Sequence, residues 1–260
     1  MTSGSELFSE EQFYDDLTLN LIKSLDWIPG VHNIKLDKRQ PCEKTSILAW
    51  EQRQCCQLPL DLKNFYLSVD GFELTYDFRY AGELLTVGRL CINSLMDLRR
   101  IYGYSIIEQS GELLPSLKDL DIVNTVEGKP SFGPNSKIFE LDYNEGVSMV
   151  CLVYNDSSHA QEIWFLDRSL NWFKLASNFS QYFRMMLYHH GLPEWQFLHV
   201  GIGLSPWAEQ LMIAIAPHLV SPEPAKKVVS RSSEPQIDPN IFKVRHKLSK
   251  KNKDKKKYLK

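Results

Sequence analysis

Nine residues alternate apolar and polar without a break: Phe72, Leu74, Tyr76, Phe78 and Tyr80 against Glu73, Thr75, Asp77 and Arg79. Successive side chains of a strand point to opposite faces, so this period of two predicts a strand with one buried and one solvated face, as in antiparallel sheets. Just ahead of it, residues 58–67 predict a helix opened by Pro59, whose missing N–H has no partner in a first turn anyway. Leu62, Phe65, Tyr66 and Val69 share one face of that helix, with Phe65 as its core anchor. Asp70-Gly71 ends it, glycine supplying the positive φ of a tight turn. A helix turned directly into a half-buried strand points to an α+β fold, mainly antiparallel sheet flanked by helices.

The rest of the chain fits that expectation. Ser9-Glu10-Glu11-Gln12 has the capping-box form, and Phe13, Leu17, Leu21 and Leu25 recur every four residues, which predicts one helix to about Asp26. A helix over 43–54 would bury Ile47, Leu48 and Trp50, and a strand is expected over 84–87. Residues 94–102 predict a short helix with Leu95, Leu98 and Ile101 inward. The pattern weakens over 103–135, a long surface excursion, and then strands are expected over 137–142, 147–154 and 162–166, with a hairpin turn at Asn144-Glu145-Gly146. Residues 176–190 predict a helix that buries Phe179, Phe183, Met186 and Leu187. Ser205-Pro206-Trp207 opens a last helix toward Pro217. The interaction domain is thus expected over 1–217. Residues 218–260, where Pro222, Pro224, Pro235 and Pro239 stand among Ser, Lys and Glu, are expected to be a disordered tail.

Charge divides along the same boundary. The formal net charge of −2 is an average. Up to His218 there are 17 Lys/Arg against 28 Asp/Glu, a net −11, whereas 243–260 hold ten Lys/Arg and only Asp254, a net +9. An acidic body therefore carries a strongly basic tail. The first residues have no basic and apolar signal-peptide regions, and no apolar run approaches the ~18 residues of a membrane span, so an intracellular, soluble protein without membrane partners is expected. Five cysteines without a CxxC pair fit reduced thiols better than disulfides or a zinc site.

Catalytic machinery is not legible. Neither a P-loop nor a dinucleotide fingerprint occurs in context, Gly201-Ile202-Gly203 reading as a loop, and no cofactor is implied. His189-His190 are adjacent and diverge on a helix, so they read as surface residues favourable to the helix dipole rather than as a metal pair. Cys55-Cys56 have no histidine nearby in sequence, though a hydrolase site assembled in space stays open. Trp164-Phe165 and Trp172-Phe173 read as core. These readings together favour a binding or scaffolding protein.

Two groups of residues then carry a resemblance. Leu58-Pro59-Leu60-Asp61-Leu62-Lys63-Asn64-Phe65-Tyr66, followed by Asp70-Gly71-Phe72, resembles the signature of the SUKH superfamily of α+β protein-interaction domains. The stretches at 139–142, 162–172, 179–184 and 190–196, which include Trp164, Trp172 and Trp195, closely resemble a subunit family of the tubulin polyglutamylase complex. The likeness runs over about residues 6–217. It implies a non-catalytic regulatory or adaptor subunit that binds sister subunits, among them a tubulin-tyrosine-ligase-like catalytic chain, in the cytoplasm at microtubules and centrosomes. Leu58, Pro59, Phe65, Gly71, Trp164, Trp172 and Trp195 would be structural residues of that domain.

The tail lies outside the resemblance. Lys250, Lys251, Lys253, Lys255, Lys256 and Lys257 read either as a solvated run, as a contact for an acidic polymer such as tubulin tails, or as a nuclear-import or nucleic-acid segment. Nucleic acid is the less expected partner, because Tyr258 is the only aromatic residue in the run.

Overall fold

In the computed structural model the described residues are 3–101, 130, 136–144, 148–155, 161–169 and 171–220. Two helices, α1 (Ser3–Leu17) and α2 (Leu21–Asp26), replace the single helix expected to Asp26, and Ser9 lies inside α1 rather than at its cap. Thr18 explains the break: its hydroxyl donates to the Tyr14 carbonyl at 2.8 Å, and Leu19 and Asn20 take positive φ, 53° and 61°. Leu17, Leu21 and Leu25 are nevertheless all buried, so the apolar stripe survives the change of direction.

The chain continues through β1 (Val31–Leu36) and α3 (Lys44–Gln54) to α4 (Leu60–Tyr66). On α3, Ile47 and Trp50 are buried, but Leu48 is 52% exposed, contrary to expectation. Pro59 precedes α4 as its N-cap, φ −50° and ψ 140°, instead of standing in the first turn, and its carbonyl accepts the Lys63 N–H at 2.8 Å. Leu62, Phe65, Tyr66 and Val69 are buried completely.

Strand β2 (Phe72–Tyr80) takes the bounds its alternation predicts and pairs antiparallel with β1 and with β3 (Glu83–Ile92). Residues 94–102 are not a helix. Ser94 and Asp97 close a turn by a 2.6 Å hydroxyl–carboxylate bond, Leu95 and Leu98 point inward from it, and β4 (Arg100–Ile101) pairs with β5 (Lys137–Asn144). With β6 (Ser148–Tyr154), β7 (Gln161–Leu166) and β8 (Trp172–Ala176) these form a second antiparallel sheet in sequential order. Ala176 ends β8, so α5 (Phe179–Tyr188) begins later than expected, where the Asn178 side chain accepts the Gln181 N–H at 2.8 Å. A short α6 (Phe197–Val200) and α7 (Pro206–Ile215) follow, α7 capped by Ser205 with Pro206 in first place.

A 3₁₀ turn, Pro217–Leu219, stands where the tail was expected to begin, and Leu219 and Val220 pack on the core. Of the expected hairpin turn at Asn144-Glu145-Gly146, Asn144 is the last residue of β5, while 145 and 146, the excursion at 103–135 apart from Pro130, and the tail beyond Val220 lie outside the described residues. No described helix is long and apolar enough to cross a membrane.

The two sheets join where β3 meets β5. Asn93 donates its N–H to the Leu141 carbonyl at 2.9 Å and its side-chain amide to the Glu140 carbonyl at 3.1 Å. Arg89 pairs with the buried Asp142 at 3.0 Å across the same seam. One large core fills the space between sheets and helices, Phe65 of α4 meeting Phe179 and Phe183 of α5 at centroid distances of 5.0 and 5.6 Å. Ile138, Cys151, Val153, Trp164, Leu166 and Trp172 form a second cluster within the five-stranded sheet.

Candidate functional site: an imidazole-lined groove

The end of α5 is fixed from two directions. His190 and Gly191 turn the chain at positive φ, 55° and 60°. The Gly191 carbonyl accepts the Arg89 N–H of β3 at 2.9 Å, and the His190 carbonyl accepts the Tyr76 hydroxyl at 2.9 Å. A Cβ on Gly191 would come within 2.5 Å of the Arg89 carbonyl oxygen, so the close approach needs glycine.

This turn sends the chain back along α5. Trp195 stacks on the His189 ring with centroids 5.0 Å apart and planes 20° from parallel, and α6 then returns His199. The Nε2 atoms of His189 and His199 stand 3.2 Å apart, and His189 Nδ1 lies 2.7 Å from the Met185 carbonyl. A carbonyl only accepts, so Nδ1 carries the proton and Nε2 presents its lone pair to His199. Burial pushes His189 down to about 4 against the opposing Met185 hydrogen bond, and burial also pushes His190 down to about 4 and lowers His199. These imidazoles are neutral at pH 7. His189 is buried rather than on the surface, and without charge neither residue of the pair supports the helix dipole.

His189, His190 and His199 line an open groove of about 1370 Å³ between the α1–α2 turn, α4 and α5. Its apolar side chains include Leu19, Leu60 and Tyr188, which are 52%, 74% and 59% exposed. Asp61 ties its walls together: Oδ2 accepts the Ser180 N–H at the start of α5 at 2.8 Å, and Oδ1 accepts the Leu62 N–H at 2.9 Å. That carboxylate is committed to backbone donors. The groove is thus a semi-apolar concavity with neutral imidazoles at one end.

The residues singled out in the sequence fall mostly elsewhere. Leu58, Phe65, Trp164, Trp172 and Trp195 are buried, and Gly71 takes φ +83°. A Cβ at Gly71 would come within 2.8 Å of the Ile92 carbonyl oxygen, so that position needs glycine. Pro59 reaches the groove wall, and Trp195 supports His189. Lys250, Lys251, Lys253, Lys255, Lys256 and Lys257 lie outside the described residues. Cys55 is exposed; burial raises the Cys56 thiol against the opposing charge of Lys137, which does not make an activated thiolate. Among the described residues no group of three or more His, Cys, Asp or Glu could hold a metal ion. The histidine cluster was missed because His189 and His199 are ten residues apart on different elements. The available signal was that four of the seven histidines fall within 189–218.

Residues 41–185, from just before α3 into α5, match the SMI1 / KNR4 family (SUKH-1). The mixed helices and antiparallel sheets described above agree with that match, and the chain belongs to this family. More particularly, it is similar to tubulin polyglutamylase complex subunit 2 of Rattus norvegicus, 34% identical over 265 residues that cover 95% of this chain and 85% of the rat protein. It is 36% identical over 207 residues to the Mus musculus protein of that name, covering 75% of this chain and 69% of the relative. The Homo sapiens protein of that name is 34% identical over 203 residues, covering 75% of this chain and 68% of the relative.

Proposed function

We propose that this protein is a non-catalytic regulatory subunit of a tubulin polyglutamylase complex, an adaptor that binds sister subunits and helps bring a separate tubulin-tyrosine-ligase-like chain to microtubules. The observation that carries this reading is the similarity to subunit 2 over 95% of the chain. The open, partly apolar groove supports it as a surface for contact.

Electrostatics divides the labour within that role. The acidic body repels an acidic polymer, whereas the basic run at 243–260 attracts one over distances set by a screening length of ~8 Å at physiological salt. Contact with the acidic tails of tubulin therefore falls to that run or to another subunit. The place of action is the cytoplasm, at microtubules and centrosomes. Affinity purification of the tagged full chain from cell extract tests the reading. A ligase-like chain and polyglutamylase activity should co-purify with it, while the purified chain alone should add no glutamate to tubulin in the presence of ATP and glutamate.

A further inference from the structure

We propose that His189 and His199 form a two-imidazole binding site for a borderline divalent metal ion such as zinc, open to the groove. Two nitrogen ligands at 2.0–2.1 Å from a tetrahedral ion stand roughly 3.3 Å apart. The observed Nε2 separation is 3.2 Å, close to that span.

Three further features prepare the ligands. The Met185 carbonyl holds His189 Nδ1 at 2.7 Å, the outer contact that metal-bound histidines use to fix their tautomer and leave Nε2 free to ligate. Trp195 locks the His189 ring by stacking and is itself packed on Tyr182, with centroids 6.0 Å apart. Both imidazoles line the open groove, and the remaining coordination positions are assigned to that side. No third His, Cys, Asp or Glu completes the set among the described residues. Water, or a donor from a chain seated in the groove, fills those positions, and the ion serves as a contact point rather than a catalyst. This site does not depend on the assembly role proposed above.

The competing arrangement is a plain hydrogen bond, with His199 Nε2–H donating to His189 Nε2. His199→Gln separates the two, because a glutamine amide still donates that hydrogen bond but is a poor ligand. The full chain, stripped of metal and with the accessible Cys42, Cys55 and Cys56 alkylated, is titrated with Zn²⁺ against a chromophoric chelator. Wild type should bind one equivalent that H199Q binds about tenfold more weakly or not at all. Substoichiometric Cu²⁺ should broaden the ring proton signals of His189 and His199 before those of other histidines. Equal zinc binding by wild type and H199Q, with far-ultraviolet circular dichroism showing both folded, would overturn the site. So would first broadening at histidines outside the pair.

Discussion

The ring of Tyr76 on β2 lies over Gly88, its register partner on β3, so closely that a Cβ at position 88 would sit 1.8 Å from Tyr76 Cε1. The hydroxyl of the same tyrosine donates to the His190 carbonyl at 2.9 Å. One side chain thus links the most legible strand of the chain to the turn that builds the histidine groove.

Gly88→Ala forces that ring aside. It should destabilise the fold by about 1–3 kcal/mol or more, read as a lower midpoint in urea. A ring displacement should also shift the Tyr76 and His190 resonances. An unchanged midpoint would mean that the ring moves freely and does not organise the turn.

Positions 60 and 65 of α4 should behave oppositely. Phe65→Ala empties the junction with Phe179 and Phe183 and should cost ~3–5 kcal/mol. Leu60→Ser, at an exposed site, should fall within about 0.5 kcal/mol of wild type. Comparable losses in denaturant unfolding would contradict the burial described for the helix.

How far these positions were legible follows from their surroundings. β2 shows its alternation because one face meets the core and the other solvent. β1, an edge strand in which only Val31 is buried, has no such contrast and was not read. β8 is five residues long and runs into the Asn178 cap, so its Ala176 was absorbed into the predicted helix. Leu95, Leu98 and Ile101 have a helical spacing, but the Leu95 N–H donates to the Asp70 carboxylate, the Asp97 N–H donates to the Ser94 hydroxyl, and Arg100 and Ile101 pair with β5. The groove was hidden for a related reason: its walls come from the α1–α2 break, α4, α5 and α6, and no single window contains them.

Arg89 and Asp142 bridge the two sheets from β3 to β5. Burial raises the Asp142 carboxyl while Arg89 opposes the shift, so removing the arginine leaves a costly charge. Arg89→Met alone should destabilise by about 3 kcal/mol, and the double change Arg89→Met with Asp142→Leu by less than the sum of the two single changes. A strictly additive double-mutant cycle in urea would show that the pair does not join the sheets.

Asp77 gives a pH-dependent prediction. Its carboxylate accepts from Thr86 Oγ1 and Asn33 Nδ2, both at 2.7 Å, and these bonds hold its pKa below the ordinary value. A folded value below the unfolded one adds stability that is present above about pH 4 and is lost as pH falls through the folded value. The stability difference between wild type and Asp77→Asn should therefore shrink on acidification. A difference that grows as pH falls would reverse the assignment.

The function proposed for the protein is membership of a polyglutamylase assembly as a subunit without ligase activity of its own. Affinity purification of the full chain from cell extract, followed by mass spectrometry and a glutamylation assay on tubulin, tests it most directly. A ligase-like partner and activity are expected in the complex, and no activity in the isolated chain. Recovery of the chain without a ligase partner, or glutamylation by the isolated chain, would contradict it.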